Sequence, residues 1–363
     1  MLCMLVFCIG LIRTAISPDD EIAYENRPAE KLLPLSAESY MDKSFQDSAE
    51  NSLSDQVNAA IKMKKLYNII DTAAALPVVE ALQNSCGGYI GFRNIYFYDG
   101  ALVKKPSPLS AKVHAIEDAA QRLNKHINAS GDTEFFIYYI ETDNDINFEN
   151  NEKSNVYEYF KELIKLPADH VSCLSINSIE DYRESFLTTD HHWNGTGAYK
   201  GYRDICQMLG IPGLESKGLH SVYGRYLGTR ASGVEGVAAE DFSVNIFEYP
   251  TMDITINGNA SEDYGMQSLF IADVLESFSY GSVFGPDCAE IIFDTGIDGK
   301  NLLIMGDSYD NAIVKALAAD FAKTYCIDLR AHDSFDLDAY IAEKQIDSVL
   351  FVGAMDYFSN TLF

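Results

Sequence analysis

The chain has 363 residues, with 54 Asp and Glu against 27 Lys and Arg, a formal net charge of −27. That balance excludes a nucleic-acid partner, which needs Lys and Arg to displace phosphate counterions, and it does not fit adhesion to an anionic membrane surface. An apolar content of 47% excludes disorder, and the length suits two domains or one large decorated one, with a core that needs no disulfide staples.

Residues 1–12 are almost wholly apolar, and Arg13 ends the run. Twelve residues fall short of the ~20 that a membrane helix needs. No basic residue precedes them, as one would in a signal peptide. The segment is either a truncated signal anchor or simply a short apolar tip; the first is the expectation, and with it an extracytoplasmic chain, membrane-anchored at its N-terminus or secreted. Residues 13–70 then read as a polar linker and a helix over 36–70, with Val57, Ile61, Met63 and Leu66 at roughly helical spacing.

Residues 89–104 suggest a hairpin turning at Asp99-Gly100. Residues 111–127 predict an amphipathic helix through Val113, Ile116, Ala120, Leu123 and Ile127. The run Phe135–Ile140 is continuously apolar, as in a strand covered on both faces. A helix over 154–165, a strand near 171–176 and a helix over 195–209 follow. Between 211 and 300 the pattern breaks into Gly-, Ser- and Asp-rich sequence, read as a β-rich, irregular insertion beside the active face. The alternation resumes with strand 301–305, helix 310–323, strand 324–329, helix 335–344 and strand 348–353. The predicted architecture is α/β, a doubly wound parallel sheet flanked by helices, formed by 71–210 and 301–363. Seven cysteines are scattered without a C-x-x-C pair, and Cys173, Cys206 and Cys326 fit buried small hydrophobes.

Two segments carry chemistry. In Leu303-Ile304-Met305-Gly306-Asp307-Ser308-Tyr309 an apolar strand runs into Gly-Asp-Ser before a helix. Function gathers at such strand ends, and a helix N-terminus there offers N–H groups to an oxyanion. Asp307 or Ser308 acting as a plain helix cap explains the same residues. The second segment is Thr188-Thr189-Asp190-His191-His192-Trp193-Asn194, holding the chain's single Trp. A neutral imidazole activates a Ser hydroxyl, and a carboxylate orients the imidazole. A structural His pair, or a metal site made by Asp190, His191 and His192, are the alternatives. Together, a strand-end Ser and an Asp-x-His make a plausible triad.

At these residues the sequence resembles the DHHW family of bacterial proteins. The match runs through Phe186-Leu187-Thr188-Thr189-Asp190-His191-His192-Trp193-Asn194-Gly195-Thr196-Gly197-Ala198-Tyr199 and Gly306-Asp307-Ser308-Tyr309-Asp310-Asn311-Ala312. It continues in Ile327-Asp328-Leu329-Arg330, and Tyr24-Glu25-Asn26-Arg27 is similar to the family's entry motif. The family is similar to SGNH-like proteins that O-acetylate alginate and other exported polysaccharides. The order of Asp190 and His192 before Ser308 resembles their circularly permuted arrangement.

The resemblance implies Ser308 as nucleophile, His192 as general base and Asp190 as its orienting acid, with no role for His191; no cofactor is expected, and a metal lacks an evident further ligand. It also implies an acyl donor, passed on by a membrane-bound acyltransferase, and a glycan acceptor. The oxyanion hole departs from the SGNH pattern. After the strand ending at Gly353 stands Asp356 where an Asn is usual, and an ionised Asp only accepts hydrogen bonds. Asn311 and Arg330 are the substitute candidates, Arg330 equally an ion-pair partner. The expected activity is O-acetyl transfer to, or acetyl-ester hydrolysis of, a cell-envelope polysaccharide through an acyl-serine. The competing expectation is a non-catalytic glycan-binding or scaffold protein on the same fold. Segment 222–226 suits the lining of a sugar cleft or ordinary loop packing. The net charge disfavours an anionic glycan unless Arg225, Arg230 and Arg330 form a local basic cleft.

Overall fold

A computed structural model describes residues 21–22, 27–56, 66, 70, 74, 77–79, 81–92, 95–129, 131–226, 228–231, 240–265, 277–332 and 334–360. The apolar segment 1–12 and the entry motif at 24–26 lie outside them, as do Val57, Ile61 and Met63 of the expected N-terminal helix. Among the described residues no helix is long and apolar enough to cross a membrane. The chain forms two compact units, Met1–Gly87 with Gly228–Ala238, and Gly88–Leu227 with Ala239–Phe363.

In the first unit, helices α1 (Ala37–Met41) and α2 (Ser44–Gln56) break the expected single helix at Asp42-Lys43. Ser36 and Ser39 cap α1 reciprocally, each hydroxyl accepting from the other's backbone N–H. Lys43, at φ 70°, sits in the left-handed region that stops α1 from running into α2.

The second unit is built on strands β1 (Ile90–Phe92), β2 (Ile95–Tyr98), β3 (Ala101–Val103), β4 (Glu134–Ile140), β5 (Val171–Leu174), β6 (Leu219–Tyr226), β7 (Glu240–Asn245), β8 (Asp253–Ile256), β9 (Asn259–Ser261), β10 (Glu290–Asp294), β11 (Asn301–Gly306), β12 (Lys323–Ile327) and β13 (Ser348–Gly353). Its helices are α3 (Leu109–Ala129), α4 (Val156–Leu163), α5 (Ile179–Ser185), α6 (Gly195–Leu209), α7 (Tyr280–Phe284), α8 (Val314–Ala318), α9 (Leu337–Lys344) and α10 (Met355–Asn360).

Eight strands form the main sheet in the order β9-β8-β10-β12-β11-β13-β4-β5. From β12 to β5 the pairing is parallel. The sheet is nevertheless mixed, not wholly parallel, because β10, β8 and β9 add antiparallel. The local cause is legible at β8–β9: Asn257-Gly258, at φ 49° and 78°, forms a two-residue turn. Such a turn can only join antiparallel strands. Part of the stretch 211–300 is therefore continuous with the sheet. The remainder includes the antiparallel ribbon β6–β7. The expected hairpin at Asp99-Gly100 is also present, with both residues at positive φ, between β2 and β3.

Alternation along the central strands sorts the core into two faces. Phe136, Tyr138, Ile140, Leu302, Ile304, Leu350 and Val352 meet α6 and α8. Phe135, Ile137, Tyr139, Leu303, Met305, Val349 and Phe351 meet α3, α4, α9 and α10. Both faces are covered, which is why 135–140 reads as one unbroken apolar run. Helix α3 buries Ile116, Ala119, Ala120 and Leu123 at helical spacing, the Ile and Leu side chains contributing about 1.5–3 kcal/mol each.

The strand order places β12 on one side of β11 and β13 on the other. The carboxyl ends of such parallel strands are where ligands gather in open α/β sheets. Ser308 follows β11 directly.

Candidate active site

Gly306 ends β11 in a space where a Cβ would collide with the Asp310 carboxylate and sit 3.0 Å from the Val352 oxygen. The strand can therefore turn tightly enough to lift Ser308 onto the sheet edge only with glycine there. The expected helix 310–323 is not continuous. A 3-10 turn over Asp310–Ala312 precedes the short α8. Among the described residues after Ser308 there is no long helix to aim its N-terminus at it, so the expected helix-end stabilisation of an oxyanion is weaker. The Ser308 N–H itself makes no hydrogen bond among the described residues, which leaves it available as a donor.

The second motif lies in a loop closed by a bridge between Phe186 and Trp193. The Leu187 N–H donates to the His192 carbonyl at 3.0 Å, and the Asn194 N–H to that of Ser185 at 2.9 Å. Asn194 caps α6, its side chain accepting from the Thr196 and Gly197 N–H groups. Glu240 clamps the loop from β7: its carboxylate accepts from both N–H and hydroxyl of Thr188 and of Thr189, at 2.5–3.0 Å. Tyr309, beside Ser308, donates its hydroxyl to the His191 carbonyl at 2.7 Å. That bond ties the two motifs together.

Asp190, His192 and Ser308 form one line. His192 Nδ1 lies 2.9 Å from Asp190 Oδ1, and His192 Nε2 lies 2.7 Å from Ser308 Oγ. An ionised Asp190 only accepts, so the proton sits on Nδ1, and Nε2 is left to accept from the Ser308 hydroxyl. Asp190 Oδ1 also accepts from the His191 N–H at 2.6 Å and lies 2.9 Å from His191 Nδ1, while Tyr226 donates its hydroxyl to Oδ2. Burial opposes the Asp190 charge, but the His192 and His191 rings and their hydrogen bonds outweigh it and hold the carboxyl well below its usual range. Burial, with His191 adding to it against Asp190, lowers the pKa of His192 and keeps the imidazole neutral. Tyr280 on α7 lies flat against the His192 ring, centroids 4.0 Å apart at 9°, and accepts from Trp193 Nε1 at 3.0 Å.

The alternatives can be weighed on this geometry. Atoms of Asp190, His191 and His192 lie close enough to hold a metal ion. Ligation through His192 Nδ1 would remove the proton that now bonds Asp190, so metal and triad compete for the same atoms. Trp193 is fully buried and serves the loop's packing.

The other predicted residues do not converge on Ser308. Asn311 donates its amide to Asp287 at 2.8 Å and accepts from the Tyr264 hydroxyl at 2.7 Å. Arg330 is held by Asp328 and Asp287 at 2.7 and 2.8 Å, the ion-pair alternative. Gly353 is required by packing, since a Cβ would lie 2.9 Å from the Tyr357 ring. Asp356 is exposed in the first turn of α10, where an acid suits the helix dipole. The basic-cleft expectation loses Arg330 to its carboxylates. Arg230 belongs to the first unit, and the Arg225 side chain lies outside the description. Tyr226, at the end of the segment expected to line a sugar cleft, instead holds the triad's acid. Tyr280 and Glu240 carried no sequence signal.

No protein-family model matches the chain, and no curated protein sequence matches it. Solved structures do. A DHHW family protein from Eubacterium siraeum superposes with a TM-score of 0.59 at 19% identity, covering 75% of this chain and 94% of the other. Bacillus cereus PatB1, solved alone and with a sulfonyl adduct, superposes at 0.57 with 22% identity, covering 76% of this chain and 98% of PatB1. At these identities the likeness speaks to the fold, and the DHHW neighbour agrees with the resemblance carried by the motifs.

Proposed function

We propose that the second unit is an SGNH-like serine acyltransferase or esterase that acts on an exported cell-envelope polysaccharide. The carrying observation is the line from Asp190 through His192 to Ser308, at 2.9 and 2.7 Å. The Ser308 oxygen attacks the acetyl carbonyl carbon while His192 Nε2 takes the hydroxyl proton. The tetrahedral oxyanion is met by the Ser308 N–H. Its collapse breaks the bond to the donor oxygen, which leaves with the proton from His192. A sugar hydroxyl, or water, then gives its proton to His192 and attacks the acetyl-serine, and Ser308 departs protonated. Asp190 stabilises the imidazolium in both halves. A membrane-bound acyltransferase as the source of the acetyl group, and an extracytoplasmic site of action, complete the reading. A scaffold protein has no use for a neutral, buried imidazole held on a serine hydroxyl.

The test is hydrolysis of an aryl acetate by the full chain and by Ser308→Ala. The expected loss is about 10³-fold or more; equal rates sink the reading. A sulfonyl fluoride should label Ser308 stoichiometrically by mass spectrometry. Offering a neutral oligosaccharide then separates transferase from esterase through acetylated sugar.

A further inference from the structure

We infer that an aromatic cleft beside the triad is the acceptor subsite, taking uncharged sugar rings of the glycan; this rests on the acyl-transfer reading above. The cleft has a volume of about 350 Å³, within the range of small-ligand sites. It is bounded by the segments that directly follow both motifs: Gly195, Ala198, Tyr199 and Tyr202 after His192, and Asn311, Ala312, Ile313, Lys315 and Ala316 after Ser308.

One wall is a chain of rings. Tyr202 and Phe247 lie 5.5 Å apart, and Phe247 and Tyr249 lie 5.8 Å apart. Tyr264 and Phe284 also line the cleft. Phe284 packs on Tyr280 at 4.7 Å, and Tyr280 is the ring stacked on His192. The cleft wall is thus two ring contacts from the catalytic imidazole.

Charge and chemistry select the occupant. Lys315, the cleft's ionisable cation, is neutralised by Asp263 at 2.5 Å and lies 4.7 Å from the Tyr249 ring centre. Asn245 and Asn311 spend amide protons on the Gly195 carbonyl and on Asp287. Tyr202 and Tyr264 are buried, and the partly exposed rings of Tyr199, Phe247, Tyr249 and Phe284 offer faces with few open charges, inside a chain of net charge −27, which disfavours an anionic ligand. The Tyr199, Tyr202 and Tyr264 hydroxyls are engaged within the protein, by Glu215, the Leu214 N–H and Asn311, so recognition falls to the ring faces. A sugar ring, apolar on its faces and hydroxylated at its edges, stacks a face on such a ring and keeps its hydroxyls toward the open side, whereas an acyl chain is apolar all round. Tyr249 is 40% exposed, so the cleft opens to solvent at this ring.

The experiment titrates the full chain carrying Ser308→Ala, which cannot turn over, with chitohexaose, cellohexaose and hexanoate, by calorimetry and NMR. Tyr249→Ala, Phe247→Ala and Tyr249→Phe are made in that background. The expected result is binding of a neutral hexaose, weakened at least about tenfold by either alanine and retained by Tyr249→Phe. In the Ser308 protein, the ratio of acetyl transfer to aryl acetate hydrolysis falls with the same alanines. Binding indifferent to both alanines, no binding of either hexaose, or ring-dependent binding of hexanoate alone each overturns the subsite. An inactive Ser308 protein whose alanine background still binds hexaose through these rings defeats acyl transfer and leaves the sugar cleft standing.

Discussion

Asp190, linked to Ser308 through His192, and Asp310, two residues after Ser308, are buried to similar depth, at 1% and 7% exposure. Their charge states diverge. Asp190 is ringed by donors and held well below its usual pKa. The Asp310 carboxylate has no hydrogen-bond donor among the described residues, and burial, reinforced by Asp307, Asp328 and Asp287, pushes its pKa well above the usual value. Asp307 is raised to about 6, also mainly by burial. The comparison teaches that supplied donors, not depth, decide whether a buried carboxyl is charged. Under the acyl-transfer proposal, Asp190 would be the anion that meets a developing imidazolium, and carboxyls held nearer neutrality at Asp307 and Asp310 would limit repulsion of a developing oxyanion.

The contrast can be broken from its charged side first. Asp190→Asn keeps the volume and removes the anion, and aryl acetate turnover is expected to fall about 10³-fold or more with the fold retained by circular dichroism. An unchanged rate would detach the carboxylate from the mechanism. Tyr226→Phe removes one donor to Asp190, so the acid's pKa rises. We expect about tenfold slower turnover and a loss of about 1–2 kcal/mol in denaturant unfolding; wild-type behaviour in both would show Tyr226 to be dispensable.

The neutral side is sharpened by Asp310→Asn. Asp310 titrates near ~3.9 when unfolded and higher when folded. Its contribution to stability is fully present below ~3.9 and is lost as pH rises through the raised folded value. The variant should therefore gain stability over wild type more at pH 8 than at pH 5, read from thermal melts; a gain independent of pH refutes the raised pKa. The smallest effect concerns His191. Activity needs neutral His192, whose pKa is depressed, so the acid limb of kcat/KM lies below the ordinary imidazole value of ~6.5. His191 contributes to that depression, and His191→Asn should move the limb to higher pH. A fixed or downward-shifted limb contradicts the assignment.

Much of this was legible locally. The central strands follow from apolar runs such as 135–140 and 348–353, and α6 was bounded by its Asn194 cap and Gly210 stop. The two motifs pointed to Ser308, His192 and Asp190, because residue types two apart or at a strand end are local information. The Asn257-Gly258 turn was equally local, and it predicts the antiparallel edge once read.

Only the tertiary structure decided the rest, because the partners are far apart in the chain. Ser308 meets His192 across 116 residues, Tyr226 reaches Asp190 across 36, and Glu240 clamps Thr188 across 52. No periodicity encodes such pairings. Asn311 and Arg330 had the right chemistry for an oxyanion, but Asp287 and Asp328 engage them instead. The sequence by itself determined which side chains carry an ionisable or nucleophilic group at the two motifs. Packing determined which of them are satisfied elsewhere and which stay aimed at the serine, since a donor that a nearer carboxylate has taken can no longer serve the reaction.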